Sequence, residues 1–213
     1  MGASNGGGSA GMKFSNTTQL DSQKLEGMFL RAVGAWPHDD LDLRIRYSRG
    51  AEFSGTCYYD QARIHANLGR RNHYPYQMQA AIARSRSDRR RWWRELYFVE
   101  LADAYQLVLF VLMHEFYHWL VRKARRNVRQ KEARCDRFAT RALVDGYGAA
   151  VRDSLGIIVP RSAWDFQDLS GFVEAALRTR GPRRAARVAT ISLPLRCPSS
   201  VITFGQQLLL FEP

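Results

Sequence analysis

Apolar side chains near the start of the chain recur at the spacing of one helix face. They run from Leu25 to Trp36, after a helix cap at Asp21 or Ser22 and before Pro37. Because residues three and four apart lie on the same side of a helix, this pattern predicts an amphipathic helix with one buried face.

Alternation of apolar and polar residues follows and predicts strands. Residues 41–47 alternate strictly, as in a strand with one buried face. Two further strands are predicted at 53–60 and 62–68. We expect the segment 63–68, RIHANL, to lie at the edge of a cleft, where an extended peptide pairs with it.

Helical patterns dominate the second half of the chain. No Gly or Pro occurs at 92–129, which predicts one long helix or two abutting ones, while 69–91 is predicted to be irregular or briefly helical. Further helices are predicted at 131–144 and 167–181. The order of one helix, three strands and then helices indicates an α+β fold with a small sheet packed on a helical layer.

The two ends of the chain differ from its centre. Residues 1–12 are rich in Gly and Ser, which predicts a flexible leader or a cloning remnant. A main domain is expected at 13–160, a helical and basic extension at 161–195 and a tail at 196–213. No signal peptide or membrane-spanning run is visible, so we expect a cytoplasmic protein without a membrane partner.

The chain is strongly basic. Its 213 residues include 32 Lys and Arg against 20 Asp and Glu, a net charge of +12. This balance favours an anionic partner, with nucleic acid as the first candidate, although a solvated basic surface would have the same composition.

Two basic segments are candidates for contacting nucleic acid. Segment 84–97 combines arginines with Trp92 and Trp93, and arginines neutralise phosphates while exposed indoles stack on bases. We favour a core position for both tryptophans, with the arginines solvated. The candidate phosphate contacts in this segment and in 177–196 are Arg89, Arg90, Arg91, Arg183, Arg184 and Arg187.

A pair of histidines flanking a glutamate carries the most specific chemistry. In the string VLMHEFYHWL, His114 and His118 are four residues apart, so on a helix both imidazoles lie on one face and can hold one Zn²⁺. Glu115 adjoins the first imidazole and can take a proton from water that the metal activates. The alternative is two core histidines beside an incidental glutamate.

A second pair follows fourteen residues after His118. Glu132 and Asp136, in EARCD, are again four apart on a predicted helix, so Glu132 can supply a third zinc ligand. Asp136 can accept the remaining N–H of a ligating imidazole. Between them Cys135 is either a thiol that competes for zinc or, as we favour, a small core residue.

These residues resemble the pattern of the gluzincin metallopeptidases, HExxH followed by ExxxD. HEFYH and EARCDRFATRAL are most similar to ImmA/IrrE-type and minigluzincin enzymes, and SGTCYYDQARIHANL resembles strands that precede the active helix there and in SprT-like proteases. The resemblance covers about residues 40–145. It implies a zincin fold, with His114, His118 and Glu132 as ligands, Glu115 as general base and Asp136 behind the ligands.

The predicted activity is therefore zinc-dependent cleavage of peptide bonds. A donor besides zinc has to stabilise the developing oxyanion, and His65, Tyr117 and Tyr147 are the candidates. With the basic charge, the expected substrates are proteins crosslinked to DNA or regulators bound to it. The alternatives are a non-catalytic nucleic-acid-binding protein on a zincin scaffold and a small effector or toxin protease.

The C-terminal tail contains QQLLLF, which resembles the peptide that bacterial replication proteins insert into the sliding clamp. Leu208, Leu210 and Phe211 would fill an apolar pocket and Gln207 would hydrogen-bond its rim. The tail therefore predicts a bacterial, phage or plasmid protein that binds the clamp near the nucleoid. The alternative is a final strand at 201–211 packed on the sheet.

Overall fold

The computed structural model describes residues 11–126 and 131–178, except the side chain of Lys131. It has a mixed α/β architecture, with small sheets packed against helices, as an α+β fold requires. The described residues leave out the tail motif and part of the basic extension, so Arg183, Arg184, Arg187, Gln207, Leu208, Leu210 and Phe211 lie outside them.

The first sheet has four strands, in the order β1-β2-β4-β3. β1 (Lys13–Asn16), β2 (Asp42–Tyr47) and β4 (Arg63–Leu68) run parallel, and β3 (Phe53–Tyr58) pairs antiparallel with β4. The three predicted strands are present. The position expected for the RIHANL strand is wrong, because β4 lies between β2 and β3, and the edges of this sheet are β1 and β3.

Helix α1 (Ser22–Val33) connects β1 to β2 and agrees with the first predicted helix. The side chain of Asp21 caps it by accepting a hydrogen bond from the Lys24 N–H at 2.9 Å. It ends at Gly34, whose φ of 53° is readily adopted only without a side chain, so the helix stops before Pro37.

The segment between β4 and the central helix differs most from the prediction. It forms β5 (Tyr76–Ala80), a hairpin of β6 (Ser85–Ser87) and β7 (Trp92–Arg94), and β8 (Tyr97–Leu101). A later strand, β9 (Ala150–Asp153), completes a three-stranded antiparallel sheet in the order β5-β8-β9.

The helix predicted over 92–129 is therefore wrong for its first twelve residues, 92–103. Every second residue of β8, Tyr97, Val99 and Leu101, points into the core, which is the pattern of a strand and not of a helix. The helix begins only after Asp103, whose side chain accepts a hydrogen bond from the Gln106 N–H at 2.8 Å. The absence of Gly and Pro from 92–129 did not mean that the helix was continuous, because its start is set by Asp103 as the N-cap residue.

Helix α2 (Ala104–Lys123) is the centre of the molecule. All its residues at 107–121 are buried, so the helix is enclosed on every side. It packs against the four-stranded sheet, α1 and α3 (Lys131–Tyr147). Within the described ranges, helices fall short of the length and apolar character that crossing a membrane requires.

Two further helices, α4 (Arg161–Trp164) and α5 (Leu169–Arg178), follow β9. Trp164, Leu169 and Val173 are buried in the same core as α2. The described beginning of the predicted C-terminal extension therefore packs on the main body of the fold.

Candidate metal centre

The two histidines of α2 face each other one helical turn apart. Their Nε2 atoms lie 3.0 Å apart, and both residues are buried. This arrangement follows directly from their spacing of four residues in a helix.

Helix α3 brings a carboxylate to the same point. Glu132 Oε2 lies 3.2 Å from His114 Nε2 and 3.4 Å from His118 Nε2. Three potential donor atoms from two helices thus converge. Burial of these three atoms is tolerated because each lies within 3.4 Å of the other two.

Asp136 orients the first imidazole from behind. Its Oδ1 lies 2.8 Å from His114 Nδ1, and its Oδ2 accepts a hydrogen bond from the Ala81 N–H at 2.7 Å. Because an ionised carboxylate only accepts hydrogen bonds, His114 Nδ1 carries a proton. His114 Nε2 is then the nitrogen that is available to a metal.

The ionisation of the cluster reflects these contacts. Burial lowers the pKa of His114, but hydrogen bonds to Asp136 and Glu132 outweigh it and raise the pKa to about 10. Burial raises the pKa of Glu132, while hydrogen bonds with His114 and His118 more than compensate and lower it. Without a metal, these contacts favour a protonated His114 beside an ionised Glu132, and a cation can take the place of that proton.

Cys135 adds a fourth potential ligand. One donor atom from each of His114, His118 and Cys135 lies within 4.8 Å of the others, so these three buried residues could hold a metal ion. Cys135 has no exposed surface, which agrees with a core position, yet it lies beside the imidazoles. Glu132 and Cys135 are thus both candidates for the third ligand, and Glu132 Oε2 lies within 3.4 Å of both Nε2 atoms.

Glu115 lies beside His114 in a cleft whose empty space, including the part open to solvent, is about 300 Å³. The cleft is lined by Phe53 and Gly55 of β3, Met78 and Gln79 of β5, Phe110, Val111, His114 and Glu115 of α2, and Asp136 of α3. Strands from two different sheets therefore form its walls, and the helix with the histidines forms its floor.

Gly55 makes room for the Glu115 carboxylate. A Cβ atom at position 55 would lie 2.7 Å from Glu115 Cγ and 2.9 Å from Glu115 Cδ, both well inside van der Waals contact. Sequence reasoning missed this residue. The available signal was a glycine inside a strand, which often marks the close approach of another group.

The three residues considered as oxyanion donors lie elsewhere. The Tyr117 hydroxyl donates to the Leu169 carbonyl oxygen at 3.2 Å, and the Tyr147 hydroxyl donates to the Met28 carbonyl oxygen at 3.4 Å. His65 packs its ring against Tyr58, on the sheet face opposite the core residues of β4. None of them lines the cleft.

The basic segment 84–97 is a surface feature. Arg89, Arg90 and Arg91 are exposed at the tip of the β6–β7 hairpin. Trp92 and Trp93 are 59% and 39% exposed, so the preferred core position for both is wrong. A two-stranded hairpin has no second layer to cover either face, which explains their exposure.

Comparisons with protein-family models, with curated proteins and with solved structures find no match for this chain. What the protein does must therefore be inferred from the chemistry of its site.

Proposed function

We propose that this chain is a zinc-dependent endopeptidase in which His114, His118 and Glu132 hold the metal and Glu115 is the general base. One observation carries the proposal. Three donor atoms of suitable chemistry lie 3.0–3.4 Å apart, and the residue that supplies the first of them, His114, lines a cleft together with Glu115, the carboxylate next in sequence.

The donor spacing fits zinc. Zinc bonds to imidazole nitrogen and carboxylate oxygen are about 2.0–2.2 Å long, so donors around a tetrahedral ion are about 3.3–3.5 Å apart. A set of two imidazoles and one carboxylate suits zinc better than Ca²⁺ or Mg²⁺, which prefer oxygen ligands alone. Three protein ligands leave the open position that catalytic zinc sites require.

When bound, Zn²⁺ would supply Lewis acidity that polarises a peptide carbonyl and makes water more acidic. Glu115 would accept the proton from the attacking water and later deliver it to the leaving amine. Asp136 would hold His114 in the required tautomer, and Gly55 would leave the Glu115 carboxylate room to move.

The walls of the cleft suit an extended peptide. In the described part of the chain, β3 pairs with β4 and β5 pairs with β8, so each borders the cleft as the edge of its sheet. A peptide in the cleft can add to either edge through backbone hydrogen bonds. The sheet packed on α2, with α3 beside it, supports a zincin-like arrangement of this kind.

The substrates we propose are proteins crosslinked or bound to nucleic acid. The net charge of +12 favours association with nucleic acid and supplies no base specificity. In this proposal the enzyme binds an extended segment of the substrate protein in its cleft. It reaches that protein because enzyme and substrate are bound to the same nucleic acid.

Metal content and activity of point variants test the proposal. Purified protein should contain one zinc per chain, and Glu115→Gln should keep the zinc while losing proteolysis of denatured casein by about 10²- to 10⁴-fold. Glu26→Gln, at a partly exposed position of α1, is the matched control and should change neither property. Undiminished proteolysis by Glu115→Gln would contradict the proposal.

A second function is favoured by the exposed arginines and tryptophans of the hairpin. The same fold could bind nucleic acid and hold zinc only as a structural ion. This alternative predicts equal nucleic-acid binding by the parent and Glu115→Gln proteins and no proteolysis by either, under conditions in which both contain zinc.

A further inference from the structure

The β6–β7 hairpin stands out from the body of the fold. Ser85 pairs with Arg94, Arg86 with Trp93 and Ser87 with Trp92. Every residue at 84–93 is exposed. A short two-stranded hairpin is marginally stable alone, so contacts at its base have to hold it in place.

Each face of the hairpin presents an indole beside a guanidinium group. Trp92 and Trp93 are neighbours on a strand, and their side chains therefore point to opposite faces. Arg94 lies over the Trp92 ring at 5.4 Å, and Arg91 lies over the Trp93 ring at 5.6 Å. Aromatic planes flanked by cations are the features on which unpaired bases stack while phosphates are neutralised.

The tip of the hairpin is ordered and positively charged. Asp88 Oδ1 accepts hydrogen bonds at 2.8 Å from the backbone N–H groups of Arg90 and Arg91, which closes the turn. Segment 84–95 contains six arginines and two acidic residues, for a net charge of +4. Arg89 and Arg90 form no ion pair with any described residue, which leaves both guanidinium groups available to phosphates.

The base of the hairpin is attached to the helix that carries Glu132. Arg94 Nη1 donates to the Ala81 carbonyl oxygen at 2.8 Å, and the Ala81 N–H donates to Asp136 Oδ2 at 2.7 Å. Arg137 Nε donates to the Ile82 carbonyl oxygen at 2.8 Å. Asp136 therefore contacts both the segment leading into the hairpin and His114 in the candidate metal centre.

We propose that the β6–β7 hairpin is a docking site for single-stranded nucleic acid and that it holds the bound strand beside the cleft. Single strands are favoured over a duplex because bases stacked in a duplex do not offer their faces to Trp92 and Trp93. The second half of the proposal, delivery of a strand-bound protein to Glu115, rests on the proposed endopeptidase function.

Binding is tested on the full-length, zinc-loaded Glu115→Gln protein with a fluorescent oligothymidine of about 20 nucleotides, comfortably longer than one such binding site. Trp92→Ala with Trp93→Ala should weaken binding at least about tenfold, and Phe at both positions should restore most of it because Phe still stacks. Arg89→Gln with Arg90→Gln should lower the slope of log affinity against log salt by about 1.4, which corresponds to two lost phosphate contacts.

The matched control replaces two exposed arginines of the four-stranded sheet, Arg44 and Arg46, by Gln. It removes the same charge and should leave oligothymidine binding within about twofold, because charge outside the docking site contributes little at physiological salt. Zinc content and circular dichroism show that each variant is folded. Unchanged binding by the double Trp variant, or equal competition by a DNA duplex or polyglutamate, would overturn the proposal.

Delivery to the cleft needs a separate measurement in protein with Glu115 intact. A fluorogenic peptide joined to oligothymidine should be cleaved faster than the unattached peptide, and Trp92→Ala with Trp93→Ala should remove only that advantage. Equal rates for both peptides would overturn delivery. Cleavage of neither peptide by a protein that still binds oligothymidine through Trp92 and Trp93 would instead reject the endopeptidase function and leave the docking site standing.

Discussion

The candidate metal centre and the β6–β7 hairpin are contrasting environments, and Asp136 links them. His114, Glu115, His118 and Asp136 are at most 6% exposed, whereas Trp92 is 59% exposed. Asp136 contacts both regions, through His114 on one side and Ala81 on the other. A buried polar cluster thus lies next to a hairpin with exposed indole side chains.

This contrast shows why the two regions differ in what can be inferred from them. A buried polar group costs free energy unless it has partners, so every contact among the buried residues restricts what the site can do. Exposed arginines form hydrogen bonds with water, so the fold is stable whether or not they bind a ligand. The contacts of the buried site therefore limit which chemistry it can perform. The hairpin indicates its ligand only through the pairing of indole rings with guanidinium groups.

Replacing Glu132, the proposed third ligand, should have the largest effect on the candidate metal centre. Glu132→Ala is expected to reduce zinc content to background and abolish proteolysis, because two imidazoles alone hold zinc weakly. Cys135→Ala should retain the metal. Metal analysis of both variants decides which residue is the third ligand. Loss of zinc in Cys135→Ala and its retention in Glu132→Ala would identify the thiol in place of the carboxylate.

Asp136→Asn should have the next largest effect, and it addresses the residue shared by the two regions. Loss of the carboxylate behind His114 is expected to weaken zinc binding by about 10- to 100-fold, as measured with a competing chelator. The amide oxygen of Asn can still accept the Ala81 N–H, so oligothymidine binding should remain. A parallel loss of zinc binding and oligothymidine binding would show that Asp136 acts chiefly by positioning the hairpin.

Gly55→Ala should impair the cleft without disturbing the metal. The new methyl group would overlap the Glu115 side chain, so we expect proteolysis to fall about tenfold or more, in line with the strong distance dependence of proton transfer. Zinc content should stay unchanged.

Gly27→Ala provides the matched glycine control. Its Cβ would lie 3.7 Å from Arg31 Nη1, an ordinary contact within α1, and the change should stabilise the fold by about 0.5–1 kcal/mol. Full activity in Gly55→Ala would mean that Glu115 adopts another position during catalysis.

His65 should make the stability of the protein sensitive to mild acid, away from both regions. Burial and the charges of Arg46, Arg44 and Arg63 lower its pKa to about 4, against about 6.5 in the unfolded chain. The unfolded state therefore binds a proton first, and stability is lost as the pH falls from 6.5 towards 4.

Thermal unfolding across this pH window should show a smaller loss in His65→Gln than in the parent. His73→Gln, at an exposed position, is the control and should follow the parent. Identical pH profiles for the parent and His65→Gln would contradict the assignment.

The effect of Trp92→Ala on the stability of the fold should be the smallest of these effects. An exposed side chain on the hairpin contributes little to the core, so the free energy of unfolding should change by no more than about 0.5 kcal/mol. Trp164→Ala, at a fully buried position, should cost about 3–5 kcal/mol in the same urea titration. A large loss for Trp92→Ala would mean that the hairpin is part of the cooperative fold.

Local patterns predicted much of the first half of the fold. The α1 stripe from Leu25 and the alternation in β2 to β4 are set by neighbours in sequence, and both are present. Region 69–101 was not predictable in this way, because β5 and β8 are defined by pairing with each other. Segment 92–101, rich in large apolar residues, suits a helix or a strand until its partner strand is known.

The sequence by itself determined that His114 and His118 share one side of a helix and that Glu132 and Asp136 share another, because four-residue spacing within a helix sets those positions locally. Only the tertiary structure decided that the two faces meet, that Gly55 lies against Glu115 and that Trp92 and Trp93 are exposed. These features depend on packing between segments far apart in the chain, which no local pattern encodes.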